Sequence, residues 1–299
     1  MIDVKQQLTA YAGRVENYMT AQVASLEEQS QQMALENLYN AMRHSLNAGG
    51  KRIRPALVYA FCEACGGKID AADSAACAME MSHTASLIFD DLPALDNDDL
   101  RRGKPSCHKA FGESTAILAA LALVNAAYQF MAEDDHLNDS QKAALCATLS
   151  AREGALGMTG GELKDMDYET QENVTLSEIE NMCLAKTGAF MASSCEMGVI
   201  CAGGTQEQVA AAREFGYLVG LAFQIIDDIL DVTSTEEMLG KPIGSDAEEG
   251  KTTFVTLMGL EEAKARAAEL SAKAHEVLGA FSQTEFLHAL TDALLVRVQ

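Results

Sequence analysis

Apolar residues recur with helical spacing along most of this chain, while runs alternating with period two are few and β-branched residues are sparse. Residues 31–47 form one amphipathic stretch that stops at Asn47-Ala48-Gly49-Gly50. Pro55 falls in the first turn of a second helix, which runs to a Gly66-Gly67 stop. A third helix is predicted over 71–92, closed by Pro93. Small polar residues followed three positions later by Glu or Gln mark further starts at Asn138/Gln141, Thr175/Glu178, Thr205/Gln208 and Ser282/Glu285. The helix from 176 should end at Gly203-Gly204, and the next should run from 206 to about 232. The pattern predicts about ten helices with short connections, plus longer polar loops at 93–109 and 233–252. No low-complexity linker divides the chain, so the expectation is a single all-α domain over 1–299.

Composition narrows the function classes. A hydrophobic fraction of 48% over 299 residues suffices for a sizeable core and excludes a disordered chain. The formal charge of −22 argues against nucleic acid as a partner, since such binding needs Lys and Arg to displace counterions. It argues equally against a standing association with anionic membranes. An anionic small molecule stays open, because local charge can differ in sign from the total. The opening MIDVKQQLTAYAG has no apolar stretch of signal-peptide length. AILAALALV at 116–124 is half a membrane span, so no stable membrane insertion is expected. Cys62 and Cys65 form a lone CxxC among eight cysteines, without the second close pair of a zinc knot. Reduced, mostly buried thiols and a cytoplasmic location fit this pattern.

Two acidic clusters carry candidate chemistry. In SLIFDDLPALDNDDLRRG (86–103), Asp90 and Asp91 end a helix, and Asp96 follows a turn set by Pro93. Clustered carboxylates suit Mg2+, which prefers oxygen ligands and shares its shell with phosphates and water. Arg101 and Arg102 follow at once, consistent with a phosphorylated ligand or with a solvated acidic turn. In FQIIDDILD (223–231), Gln224, Asp227, Asp228 and Asp231 share one face of an otherwise apolar helix. Like charges at that spacing repel, so a cation should neutralise them.

The cations are placed to match. Gly49-Gly50-Lys51-Arg52-Ile53-Arg54-Pro55 sets three basic residues in a glycine turn before a helix, which favours an anion. Lys186-Thr187, Lys241 in LGKPIGSD and Lys251 in EGKTT are further candidates. Any one of these is an ordinary surface lysine by itself; together they call for a multiply charged anion. His83 lies two turns before Asp90 on the same helix face, either as a donor to phosphate or as a satisfied core histidine. Glu80 on that helix has no role that spacing assigns.

With these segments in hand, the chain resembles the trans-isoprenyl diphosphate synthases, in particular their bacterial farnesyl/geranylgeranyl branch. The matching segments are GGKRIRP (49–55), DDLPALDNDDLRRG (90–103), KTG (186–188), GLAFQIIDDILD (220–231), and LGKPIGSD with GKTTF (239–254). The resemblance implies an isoprenoid synthase fold, all-α, with about ten or more helices around a deep central cavity, usually homodimeric. It implies head-to-tail condensation of isopentenyl diphosphate with an allylic diphosphate (dimethylallyl, geranyl or farnesyl). By the same likeness, Asp90, Asp91, Asp96, Asp227, Asp228 and Asp231 would bind three Mg2+ ions bridging the allylic diphosphate. Arg101, Lys186, Thr187, Gln224, Lys241 and Lys251 would contact that diphosphate. Lys51, Arg54, His83 and Arg102 would hold isopentenyl diphosphate.

Three positions depart from the family pattern. Phe89 stands where His is usual, Glu162 where Gln is usual, and Ala120-Leu121 where Gly-Asp is usual. The growing hydrocarbon is expected to run back along the helix of Asp90, past Ala85, Ser82 and Met81. Ala85 occupies a position that is often aromatic in farnesyl-producing bacterial relatives, and the smaller side chain leaves room for more methylenes, each worth about 0.8 kcal/mol once buried. This favours geranylgeranyl diphosphate as product over the farnesyl product usual in that branch. A terpene cyclase fits less well, because its second metal motif differs and it has no second diphosphate to place on GGKRIRP. A noncatalytic helical subunit or lipid-binding paralogue is the rival from another class.

Overall fold

The computed structural model describes residues 2–233 and 252–296. Its centre is α10 (Ala189–Cys201), whose residues are buried on nearly every face. A helix apolar all round, AFMASSCEMGVIC, can be stable in water only when neighbours enclose it. Those neighbours are α3 (Ile53–Ala64), α4 (Asp73–Asp90), α7 (Asp139–Glu153) and α11 (Gln206–Thr233). Small residues allow the close approach: a Cβ on Gly216 would lie 2.3 Å from Ala192 Cα, and one on Gly198 2.3 Å from Val58 O.

The remaining helices wrap this centre. α1 (Val4–Gln29) buries Tyr11, Val15, Met19 and Val23, an i, i+4 stripe, against α3 and α4. α2 (Glu36–Leu46) leads to α3, and the predicted start at 31 is instead a short 3-10 turn, Gln31–Met33. α5 (Cys107–Phe111) and α6 (Glu113–Glu133) follow the acidic loop. α8 (Met158–Thr170), α9 (Leu176–Cys183), α12 (Phe254–Met258), α13 (Leu260–Val277) and α14 (Glu285–Val296) complete the set.

Capping boxes form at Asn138/Gln141 and Thr175/Glu178 as the sequence predicts, and Thr205/Gln208 exchange the same reciprocal bonds. Ser282 does not cap α14: its N–H and hydroxyl both donate to Ala64 O, at 3.0 and 2.9 Å. The helix predicted from 176 to Gly203 is continuous in direction but carries a π-helical turn, Leu184–Gly188. The 93–109 loop contains a two-stranded hairpin, β1 (Leu100–Arg101) with β2 (Lys104–Pro105). α6 is longer than its AILAALALV segment suggested; an 18-residue stretch within its 21 residues reaches a mean hydropathy of 1.6, enough by length and composition to cross a membrane. It is nevertheless a bundle helix, packed on α2, α4, α5 and α7.

Candidate active site

The C-terminus of α4 and the hairpin form one wall. After Asp90 the chain turns at Pro93, and the Asp96 N–H donates to Asp90 O at 2.9 Å, folding Asp96 back beside Asp90. In the hairpin, Arg101 pairs with Lys104 across a two-residue loop whose residues, Arg102 and Gly103, both have positive φ (54° and 77°). That geometry matches the twist of a tight antiparallel ribbon. It turns Arg101 onto Asp91, with Nε 2.7 Å from Oδ1, and sends Arg102 to donate to Gly49 O. Lys104 Nζ donates to Asn47 O at 2.8 Å, fastening the ribbon to the end of α2.

Behind the hairpin lies a cavity of about 410 Å3. Lys51, Arg54, His83 and Arg102, drawn from three separate segments, all line it. Gly50 makes this possible: its φ is +128°, and a Cβ there would lie 2.6 Å from Arg102 Nη1. Arg54 Nη1 is 3.1 Å from His83 Nε2. Arg54 Nε is buried with no hydrogen-bond partner among the described residues. Burial, only partly offset by Glu80 and reinforced by Arg102, pulls the Arg54 guanidinium down to about 10. Burial, then the charges of Arg54, Arg102, Arg52 and Arg101, hold His83 well below the ordinary histidine range. Histidine here is neutral at pH 7 and can donate one N–H to an anion.

A second wall comes from α8, the π turn and α11. The π turn carries Lys186 and Thr187, and α8 reaches its backbone through Gly161, where a Cβ would fall 2.3 Å from Lys186 N. Such π turns widen the helix locally and re-aim side chains. Lys186 Nζ lies 2.8 Å from Glu162 Oε2 and 2.6 Å from Asp165 Oδ2. Thr187 Oγ1 donates to Gln224 Oε1 at 3.1 Å, joining the π turn to the second acidic motif. On α11, Asp231 is buried, and Asp228 accepts from the Phe254 N–H at 2.8 Å. Asp228, Gln224 and Asp165 line a common cavity of about 160 Å3. Asp227 lies beside Asp228 on the same helix.

The electrostatics leave the first acidic cluster short of positive charge. Burial, then the charges of Glu162 and Asp96, raise Asp90 to about 7 against the pull of Lys186 and Arg101. Burial likewise lifts Asp91 despite its bond to Arg101. Lys186 is pulled down by burial, but Asp165 and Glu162 more than reverse this, so it stays protonated. A divalent cation would relieve the crowding at Asp90, and oxygen donors are what Mg2+ takes. Among the described residues, no three carboxylate, imidazole or thiol groups converge on one point. Mg2+ needs no such cage, because it is bound by one or two carboxylates and completes its shell with water and phosphate oxygens. The donor set therefore fits it.

Met81, Ser82 and Ala85 are all buried along α4 below Asp90. Lys241 and Lys251 lie outside the described residues. Spacing gave Glu80 in the basic cavity no role and missed Asp165, which joins Glu162 against Lys186. Phe223, one residue before Gln224, also lines that cavity, bringing α11 to both sites.

An all-helical fold thus carries one acidic motif at the end of α4, with a basic cavity beside it, and a second acidic motif on α11. The polyprenyl synthetase profile matches residues 35–287, and the chain belongs to that family. A geranylgeranyl pyrophosphate synthase of Capsicum annuum chloroplasts is 43% identical over 263 residues, spanning 87% of this chain and 71% of that protein. The crystal structure of an FPP/GFPP synthase from Zymomonas mobilis superposes with a TM-score of 0.85 at 31% identity, covering 98% of both chains. The geranylgeranyl pyrophosphate synthetase of Pyrococcus horikoshii superposes at 0.88 with 28% identity, again over 98% of both.

Proposed function

We propose that this protein is a short-chain trans-prenyltransferase, a single domain over 1–299, which joins isopentenyl diphosphate to an allylic diphosphate and releases pyrophosphate. The observation that carries this reading is the basic cavity uniting Lys51, Arg54, His83 and Arg102 beside the first acidic motif. A second diphosphate needs a second cationic site, which a cyclase or a lipid carrier has no use for. Asp90, Asp91, Asp96, Asp227, Asp228 and Asp231 are proposed to hold Mg2+, three ions per site, with Arg101, Lys186, Thr187, Gln224, Lys241 and Lys251 on the allylic diphosphate. When bound, Mg2+ supplies positive charge to the oxygens of the leaving diphosphate. Lys186 and Arg101 add fixed positive charge where negative charge develops as the allylic C–O bond opens. Lys51, Arg54 and Arg102 anchor isopentenyl diphosphate so that its double bond meets the allylic carbon, and neutral His83 donates to its phosphate. The buried wall along Ala85, Ser82 and Met81 keeps water from the allylic carbocation left when that C–O bond opens.

Geranylgeranyl diphosphate is the product we favour. Its support is the small Ala85 below Asp90 and the likeness to the Capsicum and Pyrococcus proteins; the Zymomonas protein is named for two products, FPP and GFPP, and favours neither length alone. We further propose a homodimer, supported by the uncovered apolar face of α6, where Ile117, Leu118 and Leu121 are 43, 56 and 52% exposed. A cytoplasmic location is supported by eight free thiols, none in a disulfide. Pyrophosphate release by purified protein tests the reaction. It should require isopentenyl diphosphate, an allylic diphosphate and Mg2+ together, with C20 alcohol recovered after dephosphorylation; no release under any pairing would overturn it.

A further inference from the structure

Among the described residues lining the basic cavity, Glu80 is the only acid, set among Lys51, Arg52, Arg54 and Arg102. A carboxylate in a site built for a diphosphate weakens binding unless it does something else there. Its partner shows what that is. Arg52 Nη1 lies 2.5 Å from Glu80 Oε1, Arg52 Nε donates to Glu16 at 3.0 Å, and Nη2 donates to Leu46 O at 2.6 Å. The two side chains are 1% and 2% exposed. The guanidinium of Arg52 is thus spent on α1, on α4 and on the end of α2, and is not presented to a ligand. Its neighbour Arg54 differs, keeping a buried Nε without a partner among the described residues.

The backbone explains why such a strut is needed. Within four residues, Gly49, Gly50 and Arg52 have positive φ (93°, 128° and 49°), with Lys51 between the last two. A non-glycine residue in the left-handed region costs about 1 kcal/mol or more and persists only where surroundings enforce it. Arg52 is the N-cap of α3 in that conformation, without a side-chain cap bond, while its buried guanidinium is anchored on Glu16, Glu80 and Leu46 O. The turn sets the direction in which Lys51 leaves the chain and the start of the helix carrying Arg54.

We propose that Glu80 is a positioning residue for isopentenyl diphosphate: through Arg52 it locks the 49–54 turn that presents Lys51 and Arg54. The inference rests on the assignment of the basic cavity given above. Glu80 also attracts Arg54 and Arg102, balancing three arginines that would otherwise repel one another in the ligand-free protein.

The test is steady-state kinetics of Glu80→Gln and of the double variant Glu80→Gln/Arg52→Gln, which removes both charges of the buried Glu80–Arg52 pair. KM for isopentenyl diphosphate should rise about tenfold or more, while the allylic KM stays within about twofold. Glu80→Asp should recover part of the loss. A double variant that folds with an unchanged isopentenyl KM, or with both KM values raised alike, overturns the proposal. If neither variant folds, Glu16→Gln loosens Arg52 from its exposed side; a rise of about threefold in isopentenyl KM supports the proposal, and no change overturns it. A parent protein that consumes no isopentenyl diphosphate overturns the cavity assignment itself, a result read before any variant is made.

Discussion

Lys186 is held by Glu162, Nζ to Oε2 at 2.8 Å, and the charges of both act on Asp90 in opposite senses. Asp165 holds the same ammonium from α8 at 2.6 Å. A diphosphate that recruits Lys186 must compete with both carboxylates. Glu162→Gln removes one competitor and keeps the side-chain shape. We expect the allylic KM to fall about three- to tenfold, the worth of roughly 1 kcal/mol of partly buried charge interaction, with the isopentenyl KM unchanged. A rise in the allylic KM would show that Glu162 assists the substrate instead.

Asp90 links the site to stability. Its carboxyl is raised to about 7 in the folded chain, above the ordinary 3.8 that an unfolded chain would show. The folded state therefore holds this proton more tightly, and the associated stability is full below pH 3.8 and lost as pH rises toward 7. In Mg2+-free protein at pH 8, Asp90→Asn should raise Tm by about 2–4 °C, the scale of 1 kcal/mol for a large domain. It should at the same time abolish pyrophosphate release. Thermal scans with chelator at pH 5 and pH 8 check this: a Tm gain equal at both values, or a loss at pH 8, would contradict it.

What the sequence made legible was local. Acid spacing on α11, glycine stops and two complete capping boxes depend on residues within a turn or two of each other, and they stand where the pattern puts them. Ser282 had the same local signature as Thr175, yet its hydroxyl and N–H serve Ala64, 218 residues away, because packing of α14 on α3 outweighs one cap bond. Glu80 was silent for a similar reason. Its partner Arg52 is 28 residues distant, and nothing near Glu80 in sequence hints at a buried guanidinium. Lys51, Arg54, His83 and Arg102 each carried a local signal in two motifs and one helix position; their common cavity depends on Gly50 and on the positive φ of Arg102, visible only in three dimensions. The π turn under Lys186 likewise has no sequence signature of its own.

The proposed dimer makes a separate forecast. Ile117, Leu118 and Leu121 stand exposed on one face of α6, whose opposite face packs on α4. Fully burying each such side chain is worth about 1.5–3 kcal/mol, and placing a carboxylate among them reverses the sign. Leu118→Glu/Leu121→Glu should therefore halve the mass seen by light scattering at micromolar protein, with helical circular dichroism retained. A parent protein that is already monomeric under those conditions would remove the dimer.

The proposed control of product length lies at Ala85. It is 1% exposed and lies five residues before Asp90, about 7.5 Å along the helix axis, with Ser82 a turn deeper. In Ala85→Tyr a phenol would project where a prenyl chain is expected to pass, and its ring cannot fold away within a packed helix pair. One isoprene unit holds five carbons, each worth about 0.8 kcal/mol when buried, so blocking a single unit withdraws roughly 4 kcal/mol from the longer chain. That is ample to move the stop by one condensation. With excess isopentenyl diphosphate, the parent should yield C20 and Ala85→Tyr mainly C15 or shorter. The added ring should also lower Tm modestly, since overpacking costs about 1–3 kcal/mol. Chromatography of the dephosphorylated products reads the outcome: exclusive C15 from the parent removes the assigned product, and an unchanged distribution in the variant places the stop on another helix.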